Sequence, residues 1–291
     1  MKPAPFAYRR PEGLEEALAI LAEHGDETSV LAGGQSLVPV LSLRVARPAL
    51  VLDINRIAGL DSIERRDGSL VVGALVRQRA ALASAHVAED APLLAAALPH
   101  VGYPETRNRG TVVGSVAHND PAAEIPAVAV TLDAEVVLRS ASAERVVPVA
   151  EYLVAPYLTA REPGELVVAL RLQIPASPLG WGFAEVARRH HDFALAAAAA
   201  GIGLAPDGTV SDARIALAGV GATAFRATAA EALLAGGTPE PALLAEAAAR
   251  AVEESDPPGD VLASAAYRRH VSRVLVGRVL TQALDRAKGA P

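Results

Sequence analysis

Apolar residues recur three and four positions apart between residues 11 and 24, and this spacing predicts an amphipathic helix. Its apolar face consists of Leu14, Ala17, Leu18 and Leu21. Gly25 follows at the position of a C-terminal cap. The short apolar runs TSVLAGG, ALVLDINRI and SLVVGALV are bounded by turn-forming residues and predict strands, and RQRAALAS predicts a helix after the last of them. The N-terminal part of the chain therefore has the alternation of α/β units.

Residues 134–174 follow a different pattern, with the two-residue period of half-buried strands. AEVVLRS and RVVPV flank a short polar turn, and in ELVVALRLQI apolar residues alternate with Arg171 and Gln173. This part is predicted to be an antiparallel sheet. The segment PASPLG (residues 175–180) carries two prolines and a glycine, and it predicts a boundary between domains.

After this boundary the sequence predicts a small sheet packed against helices. The predicted strands are WGFAEVARR, FALAAAAAGIGL and TVSDARIALAGV, and the last two are joined at PDG, which is typical of a tight hairpin. Three helical segments follow: FRATAAEALLA, PALLAEAAARAVEES and ASAAYRRHVSRVLVGRVLTQALDRA. The domain boundaries predicted from the whole chain are residues 1–176, with subdomains of about 1–55 and 56–176, and residues 177–291.

Composition narrows the possible functions. The 291 residues are 51% apolar, enough for a substantial core, and the net charge of −6 with scattered basic pairs argues against nucleic acid as a partner. The chain has no cysteine, so it holds neither a disulfide nor a thiolate-bound iron–sulfur cluster. Since its N-terminus lacks a signal-like apolar stretch and no apolar run is long enough to span a bilayer, we expect it in the cytoplasm, without a transmembrane segment.

Two glycine-containing segments are candidates for ligand binding. In LAGGQSL the pair Gly33 and Gly34 allows the backbone to approach an anion and present amide groups to phosphate oxygens, and a plain strand-to-helix turn is the alternative. The segment TRNRGTVVGSVAHNDPAAEIPAV (residues 106–128) adds glycines and hydroxyl side chains. Together the two segments suit an elongated ligand that contains phosphate groups. We interpret Arg107 and Arg109 as solvated side chains.

Other motifs predict no site. GVGATA (residues 219–224) fits a relaxed dinucleotide fingerprint, but a further helix follows where a Rossmann unit needs a strand, so we interpret it as a strand-to-helix turn. His190 and His191 are neighbours on a predicted strand and point to opposite faces, which disfavours a metal site. His118 is interpreted as a loop residue with satisfied polar groups. No protein side chain is predicted to be catalytic.

Four segments in order resemble one known family over essentially the whole chain. LAGGQSLVPVLSLR with LVLDINRI, ETRNRGTVVGSVAHNDPAAEIPAV, FAEVARRHHDFALAAAAAGIGL and ALAGVGATAFRA are similar to the FAD-binding medium subunits of the molybdenum hydroxylases, especially the carbon monoxide dehydrogenase type. The resemblance implies an α+β fold: a vanillyl-alcohol-oxidase-type FAD-binding region of two α/β subdomains, then a C-terminal domain with a small antiparallel sheet and helices.

The resemblance also implies which residues bind FAD. The first glycine segment and the second segment are expected to hold the diphosphate, Asp120 or Glu124 the ribityl or adenosine portion, and Phe193 to lie near the isoalloxazine ring; Glu185 is assigned to the same set. The expected diphosphate residues are Ala32, Gly33, Gly34, Gln35, Ser36, Leu37, Thr111, Val113, Gly114 and Ser115. The family pattern T-x-G-G has valine at its third position here, and Val113 would be a steric obstacle if that position needs positive φ or close approach to phosphate.

The function implied is electron transfer within a hetero-oligomeric complex. A molybdenum-cofactor large subunit and a 2Fe-2S small subunit are the expected partners, and FAD would pass electrons from the iron–sulfur subunit to an external acceptor. Two alternatives remain: a free-standing flavoenzyme acting on its own substrate, and a non-catalytic scaffold that keeps the fold.

Overall fold

The computed structural model describes residues 1–289, and in them the chain forms fourteen strands and twelve α-helices. The strands are β1 (Ala7–Arg9), β2 (Thr28–Leu31), β3 (Leu50–Asp53), β4 (Ile63–Arg66), β5 (Ser69–Gly73), β6 (Glu135–Arg139), β7 (Glu144–Pro148), β8 (Leu153–Ala155), β9 (Leu158–Thr159), β10 (Leu166–Gln173), β11 (Gly180–Ala187), β12 (Ala194–Leu204), β13 (Val210–Ala218) and β14 (Phe225–Arg226). The α-helices are α1 (Leu14–His24), α2 (Leu37–Ser42), α3 (Gln78–Leu82), α4 (Ala85–Asp90), α5 (Pro92–Ala97), α6 (Pro104–Arg109), α7 (Val112–His118), α8 (Glu124–Thr131), α9 (Val149–Tyr152), α10 (Thr228–Leu234), α11 (Pro241–Glu253) and α12 (Ala265–Ala287).

The first layer is a three-stranded parallel sheet in the order β1-β3-β2. The predicted helix is α1, and it buries Ala17, Leu18 and Leu21 as its apolar face requires. Gly25 has φ +50° and donates its N–H to the carbonyl of Leu21, so the predicted cap is confirmed. Because β2 ends at Leu31, the first glycine segment begins at the carboxyl edge of this sheet.

The second layer is a five-stranded antiparallel sheet in the order β4-β5-β10-β6-β7. It confirms the predicted strands of residues 134–174, where Leu170 and Leu172 are buried and Arg171 is half-buried. The predicted strand SLVVGALV is β5, but it pairs antiparallel with β10 and is not part of a parallel α/β unit. The local apolar pattern of β5 does not indicate its pairing with β10, which lies about a hundred residues further along the chain.

The C-terminal part is a four-stranded antiparallel sheet, β11-β12-β13-β14, covered by α10, α11 and α12. The predicted hairpin joins β12 and β13, with φ +84° at Gly208 in the turn. Helix α12 approaches β11 so closely that a Cβ at Gly182 would lie 2.3 Å from the carbonyl oxygen of Val279. Glycine at this position therefore allows direct contact between strand and helix backbones.

The GVGATA segment leads from β13 back to β14, which pairs with β13. The predicted strand-to-helix turn is therefore wrong in detail, because a two-residue strand precedes the helix α10. The sequence signal for so short a strand is too weak to separate it from the turn.

Helix α8 connects the parts of the molecule. All eight of its residues are buried, and it packs against β12 and β13. Phe183, Ala197 and Ala199 of the C-terminal sheet belong to the same hydrophobic cluster as the buried residues of the first two layers. The residues before and after position 176 therefore contribute to one hydrophobic core. The predicted domain boundary at this position stays a prediction, and so does the predicted division near residue 55. Within residues 1–289 no helix combines the length and apolar character needed to cross a membrane.

Candidate functional site

A cleft of about 630 Å³ lies where the first glycine segment, the start of α7 and the turn before β12 meet. Most residues predicted to bind a ligand line this cleft, although they are far apart in sequence. They are Ala32, Gly33, Gly34, Gln35, Ser36, Leu37, Thr111, Val113, Gly114, Ser115, Asp120, Glu124 and Phe193. Glu185 is the exception among the predicted residues, since it is not part of the lining.

The first glycine segment presents free backbone donors. Among the described residues, the N–H groups of Gly33, Gly34, Gln35 and Ser36 donate to no protein acceptor. Gly34 has φ +74°, a conformation that L side chains rarely adopt, and α2 begins at Leu37. Consecutive amide donors of this kind bind anionic groups such as phosphate.

The second segment contains the start of a helix. Thr111 is the N-cap of α7, and its Oγ1 accepts a hydrogen bond from the N–H of Gly114 at 3.0 Å. Val113 lies in the first turn of this helix, is 2% exposed and has no positive φ. The position therefore imposes no left-handed backbone conformation, and the side chain of Val113 contributes both to the core and to the cleft wall.

The two segments are in direct backbone contact. A Cβ built on Gly33 would lie 2.6 Å from the carbonyl oxygen of Arg109 and 2.8 Å from Cα of Gly110. Any larger residue at this position would have to push the backbones apart. The contact fixes how far the free amides of the first segment lie from the start of α7.

A buried acidic cluster lies beside the cleft. Glu124 at the start of α8 is 7% exposed, and burial raises its pKa to about 7. Behind it, Glu185 on β11 has its Oε1 3.3 Å from Nδ1 of His100, and this hydrogen bond raises the pKa of His100. Glu185 is thus a supporting residue of the cluster and not a wall residue. His100 was missed because the LPH sequence around it carries no motif.

Asp120 is fixed by its neighbours at another part of the cleft. Its Oδ1 accepts from the N–H of Ala122 at 2.9 Å, and its Oδ2 accepts from the hydroxyl of Tyr157 at 3.3 Å. The ring of His118 lies 5.1 Å from that of Tyr157, and burial lowers the pKa of His118. His118 is the last residue of α7 and lines the cleft, whereas the sequence placed it in a loop.

The histidine pair and Arg107 differ from their interpretation from the sequence. His190 and His191 lie in the turn after β11, not on the strand, with ring centroids 3.8 Å apart, and Phe193 is 72% exposed. Arg107 is not simply solvated, because it donates to three backbone carbonyls between residues 99 and 102, ahead of α6. Arg109 is exposed, as predicted.

Two protein-family models match the chain. The FAD binding domain in molybdopterin dehydrogenase matches residues 4–177, and the CO dehydrogenase flavoprotein C-terminal domain matches residues 181–283. The chain belongs to the FAD-binding medium subunits of the molybdenum hydroxylases. The predicted family is therefore confirmed, and so are the predicted oxidoreductase class and the cofactor FAD.

Relatives of this medium subunit match over almost their full length. The 6-hydroxypseudooxynicotine dehydrogenase complex subunit alpha of Paenarthrobacter nicotinovorans is 42% identical over 290 residues, which cover 99% of this chain and 97% of the relative. The structure of carbon monoxide dehydrogenase from Hydrogenophaga pseudoflava superposes with a TM-score of 0.95 at 36% identity, covering 98% and 99% of the two chains. Quinoline 2-oxidoreductase from Pseudomonas putida 86 gives 0.93 at 36% identity and covers 99% of both. The predicted α+β fold class is confirmed.

The cleft of this medium subunit fits FAD. Its volume of about 630 Å³ is in the range of sites that hold ligands of cofactor size. The four free amide donors suit a diphosphate, and the exposed ring of Phe193 at the mouth suits a planar aromatic system.

We expect Val113→Ala to leave FAD binding almost unchanged in this medium subunit. The substitution releases no backbone strain, so FAD affinity should change less than about threefold, which is under 1 kcal/mol. The lost methyl groups should lower the free energy of unfolding by about 1–2 kcal/mol. FAD titration and denaturant unfolding measure the two effects. Val112→Ala is the matched control, since Val112 is equally buried and does not line the cleft. A tenfold gain in FAD affinity, specific to Val113→Ala, would show that valine obstructs the site.

Proposed function

We propose that this chain is the electron-transfer subunit of a molybdenum hydroxylase complex, in which FAD receives electrons from an iron–sulfur subunit and passes them to an external acceptor. The observation that carries the proposal is the row of free amide donors at residues 33–36, held against the start of α7 in a cleft of cofactor size. FAD, when bound, exchanges electrons one or two at a time, which joins one-electron carriers to two-electron chemistry.

We assign the residues of the cleft by their chemistry. The segment from Ala32 to Leu37 binds the diphosphate through its amides, and Thr111, Val113, Gly114 and Ser115 complete that part of the site. Asp120 and Glu124 bind the ribityl or adenosine portion through their carboxyl groups. Phe193 packs against the isoalloxazine ring, and without a hydroxyl it offers no hydrogen bond. Glu185 acts indirectly, by holding His100 beside Glu124.

At neutral pH the acidic cluster keeps a proton close to the site. Because burial raises the pKa of Glu124 to about 7, the protonated form is present near neutral pH, and a neutral carboxyl group both donates and accepts hydrogen bonds. It therefore adds less negative charge beside the anionic cofactor than an ionised carboxylate would. This chain thus contributes binding, orientation and electrostatics to the reaction.

The partners of the proposed complex are a molybdenum-cofactor large subunit and a 2Fe-2S small subunit. Three observations support this assembly. The relative from Paenarthrobacter nicotinovorans is named as a subunit of a dehydrogenase complex. The Hydrogenophaga pseudoflava structure is described as a carbon monoxide dehydrogenase that lacks the Mo-pyranopterin moiety of the molybdenum cofactor, so that enzyme has a molybdenum cofactor in its complete form. In addition, no cysteine in the chain offers a thiolate for a cluster.

Copurification and rapid kinetics test the proposal. The tagged chain, expressed with its genomic neighbours, should purify with molybdenum, iron and flavin in fixed ratio, and reduction of the iron–sulfur centre should precede flavin bleaching in stopped-flow absorbance. Without added acceptor the flavin should stay reduced. A chain that purifies alone and turns over its own substrate would instead show a free-standing flavoenzyme. A chain that takes up no FAD, alone or in its complex, would show a scaffold.

A further inference from the structure

Asn55 links the first glycine segment to the sheet beneath it. It follows β3, and its side-chain Nδ2 donates to the carbonyl oxygen of Ala32 at 2.8 Å and to that of Leu31 at 3.3 Å. Oδ1 of Asp53 accepts from both the N–H and the Nδ2 of Asn55, at 2.9 and 2.6 Å. Asn55 is therefore held in one orientation while it anchors the backbone where the free amides begin.

Arg77 joins Asn55 to the second segment. It follows β5, and its Nη2 donates to Oδ1 of Asn55. Its Nη1 donates to the carbonyl oxygen of Arg109 at 2.5 Å, and this is the same atom that faces Gly33. One planar guanidinium group thus connects the two segments whose backbones touch at Gly33.

The charge of Arg77 has no anion in contact. Within residues 1–289 no carboxylate lies within 4.0 Å of its guanidinium, and its hydrogen-bond acceptors are a carbonyl and an amide oxygen, both neutral. Burial lowers the pKa of Arg77, the nearby Arg109 cation acts in the same direction, and the negative charge of Asp53, which is not in contact with the guanidinium, opposes both. A half-buried cation without a contacting anion is stabilised by any negative charge placed close to it.

We infer that Asn55 and Arg77 are positioning residues for FAD: together they fix the spacing of the two segments, and Arg77 supplies the positive charge that faces the diphosphate from behind the cleft wall. Neither residue lines the cleft, so both act through the backbone they hold and through the electric field. This inference rests on the proposed placement of the diphosphate at residues 32–37. Asn55 lies in LVLDINRI, one of the segments that carry the family resemblance, but neither that segment nor the sequence around Arg77 indicates this role.

Three variants of the full chain separate the two contributions. Arg77→Gln removes the charge and part of the link, and it should weaken FAD binding about 10- to 100-fold at about 50 mM salt, with a smaller loss at about 500 mM. Asn55→Ala keeps the charge and removes the anchor, so its loss should be the same at both salt concentrations. Arg77→Lys should recover part of the affinity and the salt dependence. Fluorescence titration with FAD gives the affinities, and thermal unfolding without FAD shows whether each variant is folded.

Arg286→Gln is the matched control, because Arg286 also donates to a backbone carbonyl, that of Trp181, away from the cleft. The inference is overturned if Arg77→Gln binds FAD within about twofold of wild type, or if its loss equals that of Arg286→Gln. It is also overturned if Arg77→Lys fails to recover affinity and the loss is independent of salt, because the role would then be structural. A wild-type chain that binds no FAD would instead refute the proposed function.

Discussion

Gly33→Ala is expected to remove FAD from the protein. The added Cβ would lie 2.6 Å from the carbonyl oxygen of Arg109 and 2.8 Å from Cα of Gly110, and neither backbone atom can rotate away. The two segments must then separate by roughly half an ångström or more, which disturbs the hydrogen bonds from the amides of residues 33–36 to the diphosphate. Each hydrogen bond to a charged group is worth about 1.5–3 kcal/mol, or about 10- to 100-fold in affinity. We therefore expect FAD affinity to fall at least about a hundredfold.

The measurement is the flavin absorbance that the purified variant retains after gel filtration with excess FAD. Gly13→Ala is the matched control, because a Cβ at Gly13 meets no atom within 4 Å. The control should keep its flavin, and circular dichroism should show that both variants retain the fold. Wild-type flavin content in Gly33→Ala would mean that the contact between the segments does not set the geometry of the site.

The contact at Gly33 also shows which part of the site a sequence can predict. The glycine pair predicted close approach to an anion, and the free amides of residues 33–36 agree with that chemistry. The nearest neighbour of Gly33, however, is the backbone of residues 109–111, far along the chain. A glycine in a sequence indicates that another group approaches the backbone closely, but it does not identify that group.

The helices and long strands were predictable because their signals are local. The face of α1, the hairpin of β12 and β13 and the three C-terminal helices follow from apolar spacing and turn residues. The pairing of β5 with β10 and the short strand β14 were not predictable, because both depend on pairing with another strand and not on a local pattern. Thr111 is an intermediate case: the TVVGS sequence has an N-cap residue before an apolar run, which is a local signal for a helix start, but two valines so close to a glycine make it a weak one.

The residues that hold the cleft residues in place, without lining the cleft themselves, were the hardest to predict from the sequence. His100, Asn55 and Arg77 act through partners that lie elsewhere in the sequence, and no local motif indicates these roles. Only the fold brings Asn55 and Arg77 together behind the cleft. A search for motifs finds the residues that touch a ligand more readily than the residues that hold them in place.

Glu124→Gln is expected to make the protein more stable above neutral pH. Burial is the largest cause of the raised pKa of Glu124, the negative charges of Glu185 and Asp120 act in the same direction, and His100 opposes them. Because the folded state holds this proton more tightly than the unfolded state, the free energy of unfolding falls as pH rises from about 4.5 to about 7. The rise in pKa from 4.5 to about 7 corresponds to about 3 kcal/mol.

Glutamine resembles the protonated carboxyl group at every pH, so the free energy of unfolding of the variant should not show the fall that Glu124 causes as pH rises. Denaturant unfolding of the chain without added FAD, from about pH 5 to about pH 8, should give curves that nearly meet at the acid end and differ by up to about 3 kcal/mol at the alkaline end. A smaller decline should remain in the variant, because the raised pKa of His100 makes its contribution disappear as pH rises. The exposed Glu246 provides the control Glu246→Gln, which should follow the wild-type curve. Parallel curves for Glu124→Gln and wild type would mean that Glu124 is ionised throughout this range and places a full negative charge beside the cofactor.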